Sequence, residues 1–367
     1  MPIYVRVPGK LMIAGEYAVL EPNQNAIVAA VNRYVYAKIT SSKNCEFTLP
    51  DLGFESVSWE VNSRSISFSN TDEKLLFVQN TIKVVQDYLN ESSVQLSPFH
   101  LTVTSELDDP SGKKYGLGSS AAVVVSVVSA ILALAEQQNQ LFYAPKELIF
   151  KLAVIAHVKT QGSGSGADVA ASTYGGWLRY SAFQAQWLLQ QIETSSSITT
   201  LIEQSWPYLS IQPVIPPETL QLCVGWTGKA VSTGPMIRQL KDGQQENNQI
   251  YQTFLKDSYQ AVEGIVSSFE HKDAEESLFY LKKNRSALVK LGKEVGMLIE
   301  TPNLAVLSDL AEQMGGSGKS SGAGGGDCGI AFVTSQEQVV KLSEAWKKAG
   351  IEPLNLDVDH NGSSWHK

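Results

Sequence analysis

A long apolar run from Ala121 to Ala135, entered through the turn Gly116-Leu117-Gly118-Ser119-Ser120, constrains this chain more than any other feature. A helix that is apolar all round belongs in the middle of a core or a membrane. The run falls short of the roughly 20 residues a bilayer requires and contains serines, so it reads as a buried helix. The first N–H groups of any helix have no partner within it, and the helix dipole adds positive potential at the same end. Two glycines just before that end let a phosphate come close to the donors. Ser119 and Ser120 add hydroxyls that can meet a phosphate or a magnesium ion. The same residues also suit a plain turn followed by a serine-capped helix, and the segment alone leaves both readings open.

With 367 residues, the chain can form one large unit or two domains with an ample core. A net charge of -8 argues against a broad nucleic-acid footprint and against attraction to anionic membranes, but a pocket in an acidic protein can still be locally basic. Cys45, Cys223 and Cys328 lie far apart without metal-ligand spacing, which predicts reduced thiols in a cytoplasmic protein. The opening MPIYVRVPGK lacks the apolar core of a signal peptide.

Alternation predicts a strand at Ile3 to Val7, broken by Pro8-Gly9, then a further strand from Ile27 to Ile39 and short antiparallel strands between Phe47 and Phe68. Glu73 to Leu89 has helical spacing, with Leu75, Leu76, Val78, Ile82, Val85 and Leu89 on its apolar side. A strand near Leu101 to Ser105 and a polar loop from Asp108 to Tyr115 precede the central turn. Pro145 opens another helix through Leu148, Leu152 and Ile155, a glycine loop follows at Gly162 to Gly166, and Asp168 to Ser172 begin a short element. The second half predicts a strand at Leu220 to Trp226 and helices at Tyr251 to Phe269, Asp273 to Glu300 and Leu304 to Met314. After these come a long glycine loop, a strand at Gly329 to Val333 and a last helix from Gln336 to Ala349. The pattern is α+β, with domains at residues 1–180 and 181–367 and a cleft between them.

Two further segments are rich in glycine and serine. In Lys319-Ser320-Ser321-Gly322-Ala323-Gly324-Gly325-Gly326-Asp327, so much glycine implies either close backbone approach or a flexible surface loop. Gly318-Lys319-Ser320 is not a P-loop: Gln313 stands where that motif requires glycine, and a helix precedes it instead of a strand. In Gln161 to Ala170, Asp168 beside the loop can accept a hydroxyl proton, pair with a cation or simply cap a helix. Lys10, just beyond Pro8-Gly9, is either a solvated lysine or a residue at the mouth of a site.

Taken together, the three segments resemble the GHMP kinase superfamily, which includes galactose, homoserine, mevalonate and phosphomevalonate kinases. The first motif is similar to Pro8-Gly9-Lys10-Leu11-Met12-Ile13-Ala14-Gly15-Glu16-Tyr17-Ala18-Val19-Leu20, the second to Gly116 through Ala121 and the third to Lys319 through Phe332. Within it, the segments from Ala156 to Ala171 and from Lys319 to Ala331, with Val224-Gly225-Trp226-Thr227-Gly228 and Asn284-Arg285, resemble the bacterial phosphomevalonate kinases. Mevalonate kinases carry a magnesium-binding glutamate eleven positions before their catalytic aspartate, whereas His157 stands there in this chain. That departure suits an acceptor already phosphorylated, although His157 can also be a packed histidine.

The resemblance implies a ribosomal-protein-S5-like first domain, a ferredoxin-like second domain, and ATP with Mg2+ in the cleft. It also implies phosphomevalonate as the small-molecule acceptor and no nucleic-acid or membrane partner. Lys10 and Asp168 become the catalytic candidates. Gly116, Leu117, Gly118, Ser119, Ser120 and Ala121 would bind the nucleotide, with Ser120 also the metal contact. Lys10, His157, Lys159, Ser163, Ser165, Lys319, Ser320 and Ser321 would bind the acceptor. Glu16 would steady a cation, and Arg285 has an ordinary solvated basic helix face as its competing reading. A kinase acting on an alcohol such as mevalonate, a mevalonate diphosphate decarboxylase and a catalytically silent sensor are the alternatives. Retention of Lys10, Ser120 and Asp168 argues against the last.

Overall fold

The computed structural model describes residues 1–62, 65–109, 112–195, 197–229, 236, 239–240 and 248–366. Residues 110 and 111 of the expected polar loop, and 63 and 64 between the short strands, lie outside the described residues.

The larger sheet is built on two long antiparallel strands, β1 (Ile3–Ala14) and β2 (Asn25–Ser41). Their inward positions carry Ile3, Val5, Val7, Leu11 and Ile13 against Ile27, Val31, Val35 and Ile39, which is why the pair is central. The expected break at Pro8-Gly9 does not occur. The strand continues to Ala14 across a register shift at Pro8/Gly9, a bulge that accommodates the missing proline donor. Lys10 therefore sits within a strand, not beyond its end.

One edge of β2 pairs first with β7 (Trp177–Ser181) and then with β6 (Phe99–Ser105). Beyond β6 follow β3 (Glu46–Leu49), β4 (Phe54–Asn62) and β5 (Ser65–Phe68), and β8 (Ser210–Val214) pairs β7. The C-terminal β13 (Ser364–His366) returns to pair β1.

On one face lie α1 (Leu76–Glu91), α2 (Ser119–Gln138), α3 (Lys146–Gln161) and α4 (Ala167–Tyr174). The central helix α2 packs on β1 and β2 and between α1 and α3. It extends the apolar run at both ends and reaches a length and composition that would cross a membrane. Yet 78% of its most apolar window is buried inside the fold, so it is the core helix expected from its lack of a polar face. Leu76 departs from the expected apolar side of α1: it is 39% exposed, because the helix starts there at the edge of a cleft.

The smaller sheet has the order β10 (Ser317–Ser320), β11 (Cys328–Val333), β9 (Gln221–Trp226), β12 (Glu352–Leu354), antiparallel throughout. It is covered by α6 (Ala274–Glu294), α7 (Pro302–Gln313) and α8 (Gln336–Lys348), while α5 (Asn248–Glu270) packs along α6. Trp346, Leu307, Leu342 and Val333 fill its core. The triplet Gly318-Lys319-Ser320 lies in β10, so it is strand and not a phosphate loop.

Candidate active site

A cleft of about 850 Å³ gathers residues from all three glycine-rich segments. Its floor is the start of α2. Gly118 is the N-cap, with a left-handed backbone (φ 80) and no side chain to block the helix end. The first intrahelical bond is donated by Ala122 to the Gly118 carbonyl, so the N–H groups of Ser119, Ser120 and Ala121 precede the helix ladder. No acidic residue occupies that first turn. A helix start of this kind can receive an anion.

Lys10 approaches this floor from β1. Its backbone N–H donates to the Leu117 carbonyl at 2.8 Å, fixing strand to loop, and its Nζ lies 3.4 Å from the Gly116 carbonyl. The Lys10 side chain passes directly over Gly118: a Cβ there would come within 2.9 Å of Lys10 Cγ. The glycine thus serves two needs, a positive φ and room for the lysine.

Asp168 enters from the other side, in the first turn of α4 behind the loop Gly162 to Gly166. It is half-buried, and its Oδ1 accepts from the N–H of Val169 at 3.0 Å. Under the loop, the Tyr180 hydroxyl donates to the Ser165 carbonyl at 2.5 Å; burial, reinforced by the Asp168 charge, pushes that phenol well above its ordinary pKa. Ser163 and Ser165 line the cleft. So does His157 of α3, whose ring leans on Phe77 at 5.2 Å and whose Nε2 is 3.2 Å from Ser120 Oγ.

The third segment forms the opposite wall, and here the placement differs from expectation. Lys319 is fully buried, ion-paired through Nζ to Glu16 and hydrogen-bonded to the Ser320 carbonyl. Burial pulls its ammonium below the usual lysine range, and the Glu16 carboxylate opposes that pull. Lys319 and Ser320 point into the fold because they belong to a strand covered by helices, and neither reaches the cleft. Ser321 does: its Oγ accepts from the Met12 N–H at 3.1 Å and donates to the Met12 carbonyl at 2.9 Å. Tyr17 donates to the Ala323 carbonyl, and Gly325 N–H to that of Ile299 at 2.8 Å. Gly324 leaves no room for a Cβ, which would lie 2.2 Å from the Ile299 carbonyl oxygen.

Lys159 is exposed on α3, outside the cleft lining and near Asp87, so the acceptor role expected of it has no support from its position. Arg285 is not a solvated basic side chain. It holds Glu300, Asp309 and Glu312 at 2.7–2.8 Å, bracing the turn on which the glycine loop rests. Tyr17, Thr160 and Gln161, which fall inside the matched segments without being singled out, also line the cleft, as do Leu76 and Phe77, which helical spacing alone does not mark as site residues.

Among the described residues, the lining carries the ammonium groups of Lys10 and Lys114 against the carboxylates of Glu73, Asp168, Asp327 and the Lys319-paired Glu16. These cations alone do not neutralise a polyphosphate. Nor, among the described residues, do three His, Cys, Asp or Glu side chains cluster as a metal site. The oxygen donors that the lining does offer, the Ser120 hydroxyl and the Asp168 carboxylate, fit magnesium, which keeps much of its water shell and takes one or two protein ligands beside phosphate oxygens.

Comparison with known proteins agrees with this geometry. Residues 77–176 match the GHMP kinases N terminal domain and residues 269–352 the GHMP kinases C terminal domain. The phosphomevalonate kinase of Streptomyces sp. (strain CL190) is 33% identical over 362 residues, covering 95% of each chain. Among solved structures, the Lin0012 protein from Listeria innocua superposes with a TM-score of 0.92 at 36% identity over the whole of both chains. Streptococcus pneumoniae phosphomevalonate kinase in complex with phosphomevalonate and AMPPNP has a TM-score of 0.84 at 30% identity, covering 97% of this chain and 99% of that one. With the helix-start cradle, the strand-borne lysine and the loop aspartate around one cleft, the chain belongs to the GHMP kinase family.

Proposed function

We propose that the enzyme transfers the γ-phosphoryl group of ATP to the phosphate of (R)-5-phosphomevalonate, giving ADP and (R)-5-diphosphomevalonate. The observation that carries this reading is the convergence of Lys10, the α2 N-terminus and Asp168 on one cleft, in a chain 33% and 30% identical to two phosphomevalonate kinases.

An oxygen of the acceptor phosphate attacks the γ-phosphorus while the bridging bond to the β-phosphate breaks, and ADP leaves. The second pKa of a phosphate monoester is about 6, so the attacking group is already largely ionised near neutral pH and no strong base is needed. The demand is electrostatic: two polyanions must meet. The free N–H groups at Ser119, Ser120 and Ala121 hold the donor phosphates, and Lys10 stands over the same loop to neutralise charge on the transferring group. Asp168 orients Lys10 or the acceptor. Ser120 is the side chain that would hold Mg2+, which would supply screening of the phosphate charge. Ser163 and Ser165 supply neutral donors for the acceptor's anionic ends, while the Ser321 hydroxyl is committed to Met12. The reading also places the enzyme in the cytoplasm, supported by the three unpaired cysteines.

Initial rates of ADP release with phosphomevalonate, mevalonate, homoserine and galactose test the acceptor. A kcat/KM for phosphomevalonate at least about 100-fold above the others is expected, since a site built around a charged group discriminates strongly against analogues lacking it. A preference for any of the alcohols would overturn the assignment.

A further inference from the structure

His157 is 3% exposed, yet it lines the cleft with its two nitrogens in different settings. Nε2 meets Ser120 Oγ at 3.2 Å, while Nδ1 faces the Gly162 to Gly166 loop, where a Cβ built on Gly164 would find that nitrogen alone within 4.0 Å. Among the described residues, no hydrogen-bond partner of Nδ1 is seen. A neutral imidazole has one donor and one acceptor nitrogen, so the partner of one fixes what the other offers.

We propose that His157 couples the two ligands of this site: Nε2 accepts the Ser120 hydroxyl proton, and Nδ1–H donates to an anionic oxygen of the phosphorylated acceptor. With its proton turned to Nε2, the Ser120 oxygen presents lone pairs to the cleft, the orientation a cation needs. The opposite tautomer would have Nε2–H donate to Ser120, freeing the hydroxyl proton toward the nucleotide and leaving Nδ1 a bare lone pair against an anion. Only the first arrangement is favourable at both ends. Phe77 holds the ring plane, so His157 is a positioning residue for Ser120 and a specificity contact for the acceptor. The acceptor half of the inference rests on the phosphomevalonate reading; the Ser120 half does not.

Two isosteres separate the ends. A glutamine amide reaches the position of Nε2, and an asparagine amide that of Nδ1. Calorimetric titration of the full-length protein with phosphomevalonate alone, and separately with Mg-AMPPNP, reads each subsite without turnover. His157→Gln is expected to weaken phosphomevalonate by about 10-fold or more, as loss of a hydrogen bond to a charged group does, and to leave Mg-AMPPNP within about 2-fold. His157→Asn is expected to weaken Mg-AMPPNP several-fold and largely spare phosphomevalonate. His157→Phe keeps the packing on Phe77 and should weaken both at an unchanged Tm. Retention of both affinities in the Phe variant, or equal losses of both in the Gln and Asn variants, would reduce His157 to a packed ring and overturn the proposal. A wild-type protein that binds Mg-AMPPNP but no phosphomevalonate would instead sink the acceptor reading, with the Asn-versus-Gln difference in nucleotide affinity still deciding the Ser120 half.

Discussion

The two glycine-rich segments that meet at Gly116 and Asp327 beside the cleft look alike as sequence and do opposite things. At Gly116 to Ala121 the glycines make room for the Asp327 and Lys10 side chains, and the segment leaves the first N–H groups of α2 outside the helix ladder. At Lys319 to Asp327 the glycines let the chain press against its own backbone, and the hydrogen bonds turn inward to Met12, Glu16 and Ile299. The first is an arrangement for a ligand. The second is scaffolding that fixes the far wall of the cleft to β1. Glycine content alone therefore marks close approach without saying what approaches: the side chains of Lys10 and Asp327 in one case, the Ile299 carbonyl in the other.

Five substitutions sharpen or break this contrast, from the largest effect to the smallest. Lys319→Met leaves Glu16 buried and uncompensated, and chemical denaturation should register a loss of about 3–5 kcal/mol. Adding Glu16→Leu should recover most of it, because an apolar pair of similar volume is commonly neutral. Failure to recover would mean that Lys319 meets something other than Glu16. Lys10→Met should leave the denaturation midpoint nearly unchanged and lower kcat about 10²–10³-fold, the range seen when one donor to transition-state charge is removed. Equal losses of stability and rate there would erase the distinction between the walls.

Gly118→Ala should cost about 1–3 kcal/mol for its left-handed backbone and raise the KM for ATP by crowding Lys10. Stability at the wild-type value would contradict the φ of 80 on which the cradle depends. Lys159→Ala, on the solvent face of α3, should shift stability by no more than about 0.5 kcal/mol and leave both KM values within 2-fold. A large rise in acceptor KM would return Lys159 to the site.

The elements legible in sequence are those whose physics is local. The central helix announces itself by an apolar run with no polar face, and its start by two glycines and two serines. The helix after Pro145 and the short one carrying Asp168 follow from their own turn chemistry. What stayed hidden depends on contacts between distant residues. Lys319 reads as a ligand-binding cation because its partner Glu16 lies 303 positions away, and only the fold brings them together. Pro8-Gly9 reads as a strand end because a bulge is a property of the strand pair, not of one strand. Leu76 reads as core because helical spacing marks a face without saying where that face runs out. Among the candidate site residues, Lys10 on β1, His157 on α3, Asp168 and the turn from Gly116 to Ser120 reach the cleft with Ser163, Ser165 and Ser321, whereas Ala121, Lys159 and the β10 residues Lys319 and Ser320 do not line it.

The bond that the enzyme makes separates the readings most directly. Phosphorus NMR of the purified protein with Mg2+, ATP and phosphomevalonate should show the acceptor's phosphomonoester signal replaced by the paired, mutually coupled signals of a diphosphate ester, and no new signal when mevalonate is offered instead. A new phosphomonoester signal from mevalonate, with phosphomevalonate left untouched, would keep the cradle and the family but contradict the claim that this cleft joins phosphate to phosphate.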